Sequence, residues 1–114
     1  MWVIALPTET GEGLDSRIAQ TLEKARYLTV VRVKDGEVTE VQSVLIKAGD
    51  HVPSLARRLG ANVVICNELR SGSRAYLAVL GFDIISGVSG LVRDAVQAFL
   101  EGRVSFVPEE FRRG

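Results

Sequence analysis

Apolar positions in this chain follow two rhythms. In the first half they form runs, Trp2 to Leu6, Tyr27 to Val33 and Val38 to Ile46, whose length and β-branched content predict strands. The first run is apolar on both faces and ends at Pro7, which suits a central strand. The other two flank Lys34-Asp35-Gly36-Glu37, and Asp-Gly at that place predicts a tight hairpin because glycine tolerates a positive φ. A polar, glycine-punctuated loop, Thr8 to Asp15, follows the first strand. Ser16 then reads as the cap of a short helix with Ile18, Ala19, Leu22 and Ala25 as its apolar positions.

From Asp50 the spacing turns helical. Val52, Leu55, Ala56 and Leu59 share a face, Pro53 is tolerated in the first turn, and Gly60 stops the helix. Asn62-Val63-Val64-Ile65-Cys66 reads as a short strand buried on both sides. A second helix opens at Ser71 or Ser73 with Ala75, Tyr76, Val79 and Leu80 inward, and Gly81 ends it. Phe82 to Ile85 is a further strand. Ser89 caps a last helix with Leu91, Val92, Ala95, Val96, Phe99 and Leu100 inward, ended by Gly102. Residues 103–114 read as an irregular tail, in which Val104, Phe106 and Val107 offer an edge strand or a docking contact.

This order predicts a single α/β domain over residues 1–114. Right-handed crossovers assemble it as a five-stranded mixed sheet in order 3-2-1-4-5, strand 2 antiparallel, with helices on both faces. The first strand and the Asn62–Cys66 strand are then neighbours at the topological switch point, where open α/β sheets place ligands beyond the strand carboxyl ends. Four loops converge there: Thr8–Asp15, Lys47–His51, Cys66–Ser71 and Ser86–Ser89.

Composition narrows the function classes. Fourteen basic and fourteen acidic residues cancel, so no global field recruits nucleic acid or an acidic membrane. No apolar run approaches the roughly 18–20 residues of a membrane span, and no basic segment precedes the N-terminal apolar run, so no signal peptide is expected. A lone cysteine excludes an internal disulfide and fits a cytoplasmic protein.

The candidate chemistry sits at the converging loops. His51 is the sole histidine and Cys66 the sole cysteine, and the topology sends both to one edge, with Asn67 and Glu68 directly after the strand. Imidazole and thiolate suit iron–sulfur and other transition-metal centres, although two residues cannot close a tetrahedral structural zinc site. The competing reading makes Cys66 a small buried hydrophobe and His51 a solvated helix-start residue. A Cys66 nucleophile activated by His51 is a further alternative. Carboxylate-dependent nuclease chemistry is disfavoured, because the first strand carries no acid. Gly11-Glu12-Gly13 lacks the remaining signature of a phosphate loop, and Arg57-Arg58 lacks aromatic interleaving.

Several segments combine in a recognisable order. They are Asp15-Ser16-x-Ile18, Ala25-x-Tyr27, the Asp35-Gly36 hairpin, His51 heading a helix, Gly60-Ala61-Asn62-Val63-Val64-Ile65-Cys66-x-Glu68, Leu80-Gly81-Phe82-Asp83-Ile84 and Asp94-Ala95-x-x-Ala98-Phe99-Leu100-x-Gly102. Over nearly its whole length the chain resembles the dinitrogenase iron–molybdenum cofactor-binding family of nitrogenase accessory proteins. The resemblance implies a ribonuclease-H-like sheet and a non-catalytic carrier of an iron–sulfur or iron–molybdenum cofactor or its precursor, bound transiently. His51 and Cys66 would be the metal ligands, with Asn67 and Glu68 beside them. Cofactor-assembly or acceptor proteins would be the partners, and a homodimer is compatible with it. The chain departs from the family where many members read His-Phe-Gly-Arg-Ala and it reads Thr21-Leu22-Glu23-Lys24-Ala25. Glycines expected after the histidine and near Arg70 are also missing. These departures motivate an alternative, a degenerate member that binds partner proteins without metal.

Overall fold

The computed structural model describes residues 1–103, so the tail contacts expected of Val104, Phe106 and Val107 lie outside the described residues. Five strands form one sheet: β1 (Trp2–Thr8), β2 (Tyr27–Lys34), β3 (Glu37–Leu45), β4 (Val63–Ile65) and β5 (Asp83–Ile85). Their spatial order is 3-2-1-4-5. β1 pairs antiparallel with β2 and parallel with β4, β2 pairs antiparallel with β3, and β4 pairs parallel with β5. The α/β sheet expected from the sequence is therefore present, strand for strand. Asp35 and Gly36 both take positive φ, 54° and 78°, the geometry that lets a two-residue turn follow the strand twist.

Alternation within the strands divides the core into two layers. Val3 and Ala5 of β1, Leu28 and Val30 of β2, and Val64 of β4 face one side, where Leu55 and Leu77 cover them. Ile4, Leu6, Val31, Val63 and Ile65 face the other, beneath Val92, Ala95 and Val96. The covering helices are α1 (Val52–Arg58) and α2 (Ser71–Val79) on the first face and α3 (Val92–Leu100) on the second. Both faces of β1 and β4 are thus sealed, which explains runs without polar residues in these strands. Asn62 extends β4 by one step: its Oδ1 accepts the Val3 N–H at 2.9 Å while its own N–H donates to the Val3 carbonyl. Among the described residues, no helix is long and apolar enough to cross a membrane.

Two larger expectations are corrected, besides the cap of α3, whose N-cap residue is Leu91 and not Ser89. No α-helix follows Ser16. Instead the chain forms 3-10 turns at Gly13–Asp15 and Leu22–Lys24, with an extended passage between them bridged to Thr8, Leu91 and Glu68. Ile18 and Ala19 donate to the carbonyls of Gly90 and Pro7, so tertiary hydrogen bonds replace the helical ones. Ile18 is buried with the α3 layer and Leu22 with the α1/α2 layer, a division one helix face would not make. The second correction concerns α2. Leu77 is its fully buried residue, whereas Ala75 and Tyr76 are exposed and Val79 is 85% exposed.

The α2 assignment yields a stability contrast. Leu77→Ala should lower the unfolding free energy by about 2–5 kcal/mol, as for other buried leucines. Val79→Ala should change it by less than about 0.5 kcal/mol. Urea denaturation measures both, and equal losses would contradict the assigned inward face.

Candidate functional site

The loops expected to meet at one edge separate into two groups. Loop Thr8–Asp15 and the Ser86–Leu91 region join on the α3 side, where Val92 N–H donates to the Ser16 carbonyl and Arg17 bridges to Leu91. The connection after β3, the 3-10 turn at Leu22–Lys24 and the start of α2 meet on the opposite side. A cavity of about 650 Å³ opens between them. Leu22 and Glu23 form one wall, Asp50, His51, Val52 and Pro53 a second, and Arg70, Ser71, Gly72, Ser73 and Tyr76 the third. Its size falls within the range of small-ligand sites.

Local folding explains the position of each side chain. His51 is the N-cap residue of α1 and keeps extended backbone geometry. Its Nδ1 shares a 2.7 Å hydrogen bond with Ser54 Oγ, one helical turn on, so the ring is held at the cavity with Nε2 as the remaining coordinating nitrogen. Tyr76 packs edge-to-face on the same ring, with centroids 4.5 Å apart. That contact explains why Tyr76 leaves the core: it joins α2 to the head of α1. Neither α1 nor α2 has a side-chain cap on its first turn; Pro53 removes one N–H from that of α1, so the first turn of α2 offers more donors to water or a ligand.

Glu68 pins the remaining wall. Its N–H donates to the Gln20 carbonyl, its carbonyl accepts from Leu22, and its carboxylate accepts from Gln20 Nε2 at 3.1 Å. These bonds attach the Thr21–Lys24 segment to the β4–α2 loop. Asn67 is half-buried and its carbonyl accepts the Gly87 N–H, which ties that loop to the α3 side. Cys66 is 1% exposed and packs in the α1/α2 layer. The structure therefore places His51 at the cavity, Glu68 behind one wall, Asn67 between the two loop groups, and Cys66 in the core. His51 and Cys66 do not share the cavity lining. Among the described residues, no three or more His, Cys, Asp or Glu side chains are grouped to hold a metal ion.

Sequence reasoning met Glu23 and Arg70 only as departures from the family pattern, Glu23 as an acid opposing an anionic cluster, and did not single out Ser73 and Tyr76 as lining residues. The Ser71-Gly72-Ser73 opening of α2 carried a partial signal, since small polar residues at a helix start leave space for a ligand. Tyr76 carried none, because its partner His51 lies 25 positions earlier in the chain.

Comparison with known proteins adds the following. A family model described as dinitrogenase iron-molybdenum cofactor matches residues 1–102. No curated relative matches the chain in sequence. Among solved structures, the PH0822 protein is 25% identical with a TM-score of 0.84, covering 94% of this chain and 96% of that one. The apo form of the orange protein from Desulfovibrio gigas is 25% identical with a TM-score of 0.79, covering 95% and 94%. The MJ0327 protein from Methanocaldococcus jannaschii, 17% identical with a TM-score of 0.76 and covering 93% and 94%, shares the fold.

The burial of Cys66 predicts its reactivity. Iodoacetamide should leave the native protein unmodified over a period that fully alkylates the urea-unfolded chain, read by intact mass. Equal rates in the two states would contradict the core position.

Proposed function

The chain belongs to the dinitrogenase iron–molybdenum cofactor family, and we propose from that membership that it carries an iron–molybdenum or iron–sulfur type cofactor, or a precursor, without catalysing its chemistry. The cavity between the starts of α1 and α2 carries this reading. It combines an oriented imidazole, the uncapped first turn of α2 and Arg70 with the apolar residues Leu22, Val52 and Pro53. Metal–sulfur clusters are anionic, and N–H dipoles with a guanidinium favour an anion. His51 would supply the coordinate bond through Nε2.

A single imidazole at the cavity suits cargo better than a resident centre. Clusters held permanently use several protein ligands, whereas one ligand plus polar contacts lets a preassembled cluster enter and leave intact. Cys66 supports this division by packing under the site, in the layer that also holds Leu22. Donor and acceptor proteins of cofactor assembly are the partners this role requires. A second reading, a protein-interaction module that binds no metal, draws on the Glu23 carboxylate at the cavity wall, which opposes an anionic ligand.

Anaerobic gel filtration with isolated iron–molybdenum cofactor tests the proposal. Protein and cofactor absorbance should co-elute near one to one. His51→Ala should weaken binding about tenfold or more, in keeping with loss of a coordinate bond and its orienting contacts, while Cys66→Ala should retain it. Absence of co-elution from the wild-type protein would sink the carrier reading and leave the interaction module.

A further inference from the structure

Cavity electrostatics turn on one side chain. Glu23 and Asp50 set two carboxylates against the single guanidinium of Arg70. Asp50 is engaged in its own loop, its Oδ2 accepting the Lys47 N–H at 2.8 Å. Glu23 instead reaches across the cavity wall, where its Oε2 accepts a hydrogen bond from Ser73 Oγ in the first turn of α2. That hydroxyl is one of the few neutral donors lining the cavity. The short turn bearing Glu23 is anchored before it by Leu22 in the core and the Glu68 contacts, and after it by the Arg26 N–H donating to the Thr8 carbonyl. Glu23 itself is exposed, so its side chain can rotate away without disturbing those anchors.

Resting on the carrier reading, we propose that Glu23 is the affinity-setting residue of this cavity. Its carboxylate occupies the Ser73 hydroxyl in the empty protein, is displaced when an anionic cluster enters, and returns when the cluster leaves. The consequence is a site whose affinity lies below what its donors alone would give. That suits release to an acceptor more than storage, because the returning carboxylate replaces the ligand's contact with Ser73 and repels the departing anion. The ligand class is correspondingly narrow: an anion able to compete for a hydroxyl already bonded to a carboxylate.

Equilibrium titration with isolated iron–molybdenum cofactor, under anaerobic conditions, tests this on wild type, Glu23→Gln, Glu23→Ala and the distant control Glu37→Gln. Removing one like charge at a solvent-facing wall should tighten binding about five- to tenfold in both Glu23 variants. The gain should shrink as potassium chloride rises, because salt screens it, a response that a purely structural role of Glu23 would not produce. Glu37→Gln should match wild type. Binding by wild type with no gain in the Glu23 variants overturns the role of Glu23 and leaves the carrier reading standing. A gain equal to that of Glu37→Gln, or one insensitive to salt, also overturns it. Failure of the wild type to bind overturns the carrier reading and, with it, this proposal.

Discussion

Burial of β1 and β4 on both faces is the constraint from which the rest of this structure follows. Their side chains alternate between two layers, one covered by α1 and α2 and the other by α3. Backbone polar groups in such strands are satisfied only by neighbouring strands, so chemistry is pushed to the strand ends. There the connections must also close the core, and they do it with backbone pairing: Ala19 to Pro7, Glu68 to Gln20, Leu22 to Glu68 and Val88 to Cys66. The candidate cavity is a by-product of that closure. It lies where the Leu22–Lys24 turn, the head of α1 and the head of α2 meet without filling the space between them.

Much of the architecture was legible because strong local signals coincide with the global fold. The strand runs, the Asp35-Gly36 turn and the glycines ending each helix all lie where the sheet needs them, with φ of 87°, 89° and 76° at Gly60, Gly81 and Gly102. The passage after Ser16 was not legible. Ile18, Ala19, Leu22 and Ala25 fit a helical period, yet the partners that hold this segment extended, Gly90 and Glu68, come much later in the chain. The same limit applies to α2, where an apolar surface residue cannot be told from a core residue by spacing alone. Tyr76 is apolar in composition but serves as the edge-on partner of His51.

For the site, topology brought the correct loops to one edge but could not say on which side of the sheet each would lie. His51 heads α1 at the cavity, as its position before an apolar helix implied. Cys66, at the end of a strand buried on both faces, continues the alternation of Val64 into the α1/α2 layer and packs as a small hydrophobe. The cavity is therefore lined by His51, Arg70, Glu23 and the first residues of α1 and α2, with Cys66 outside it.

That a metal–sulfur anion occupies this cavity is the central claim, and its most direct test is nuclear magnetic resonance of the 15N-labelled protein during anaerobic addition of isolated iron–molybdenum cofactor. The paramagnetic cofactor should broaden amide signals of 22–24, 51, 52, 54 and 70–76 first, leaving the β3 edge and α3 sharp. Broadening centred on the α3 side or on β3, or none at saturating cofactor, would contradict it.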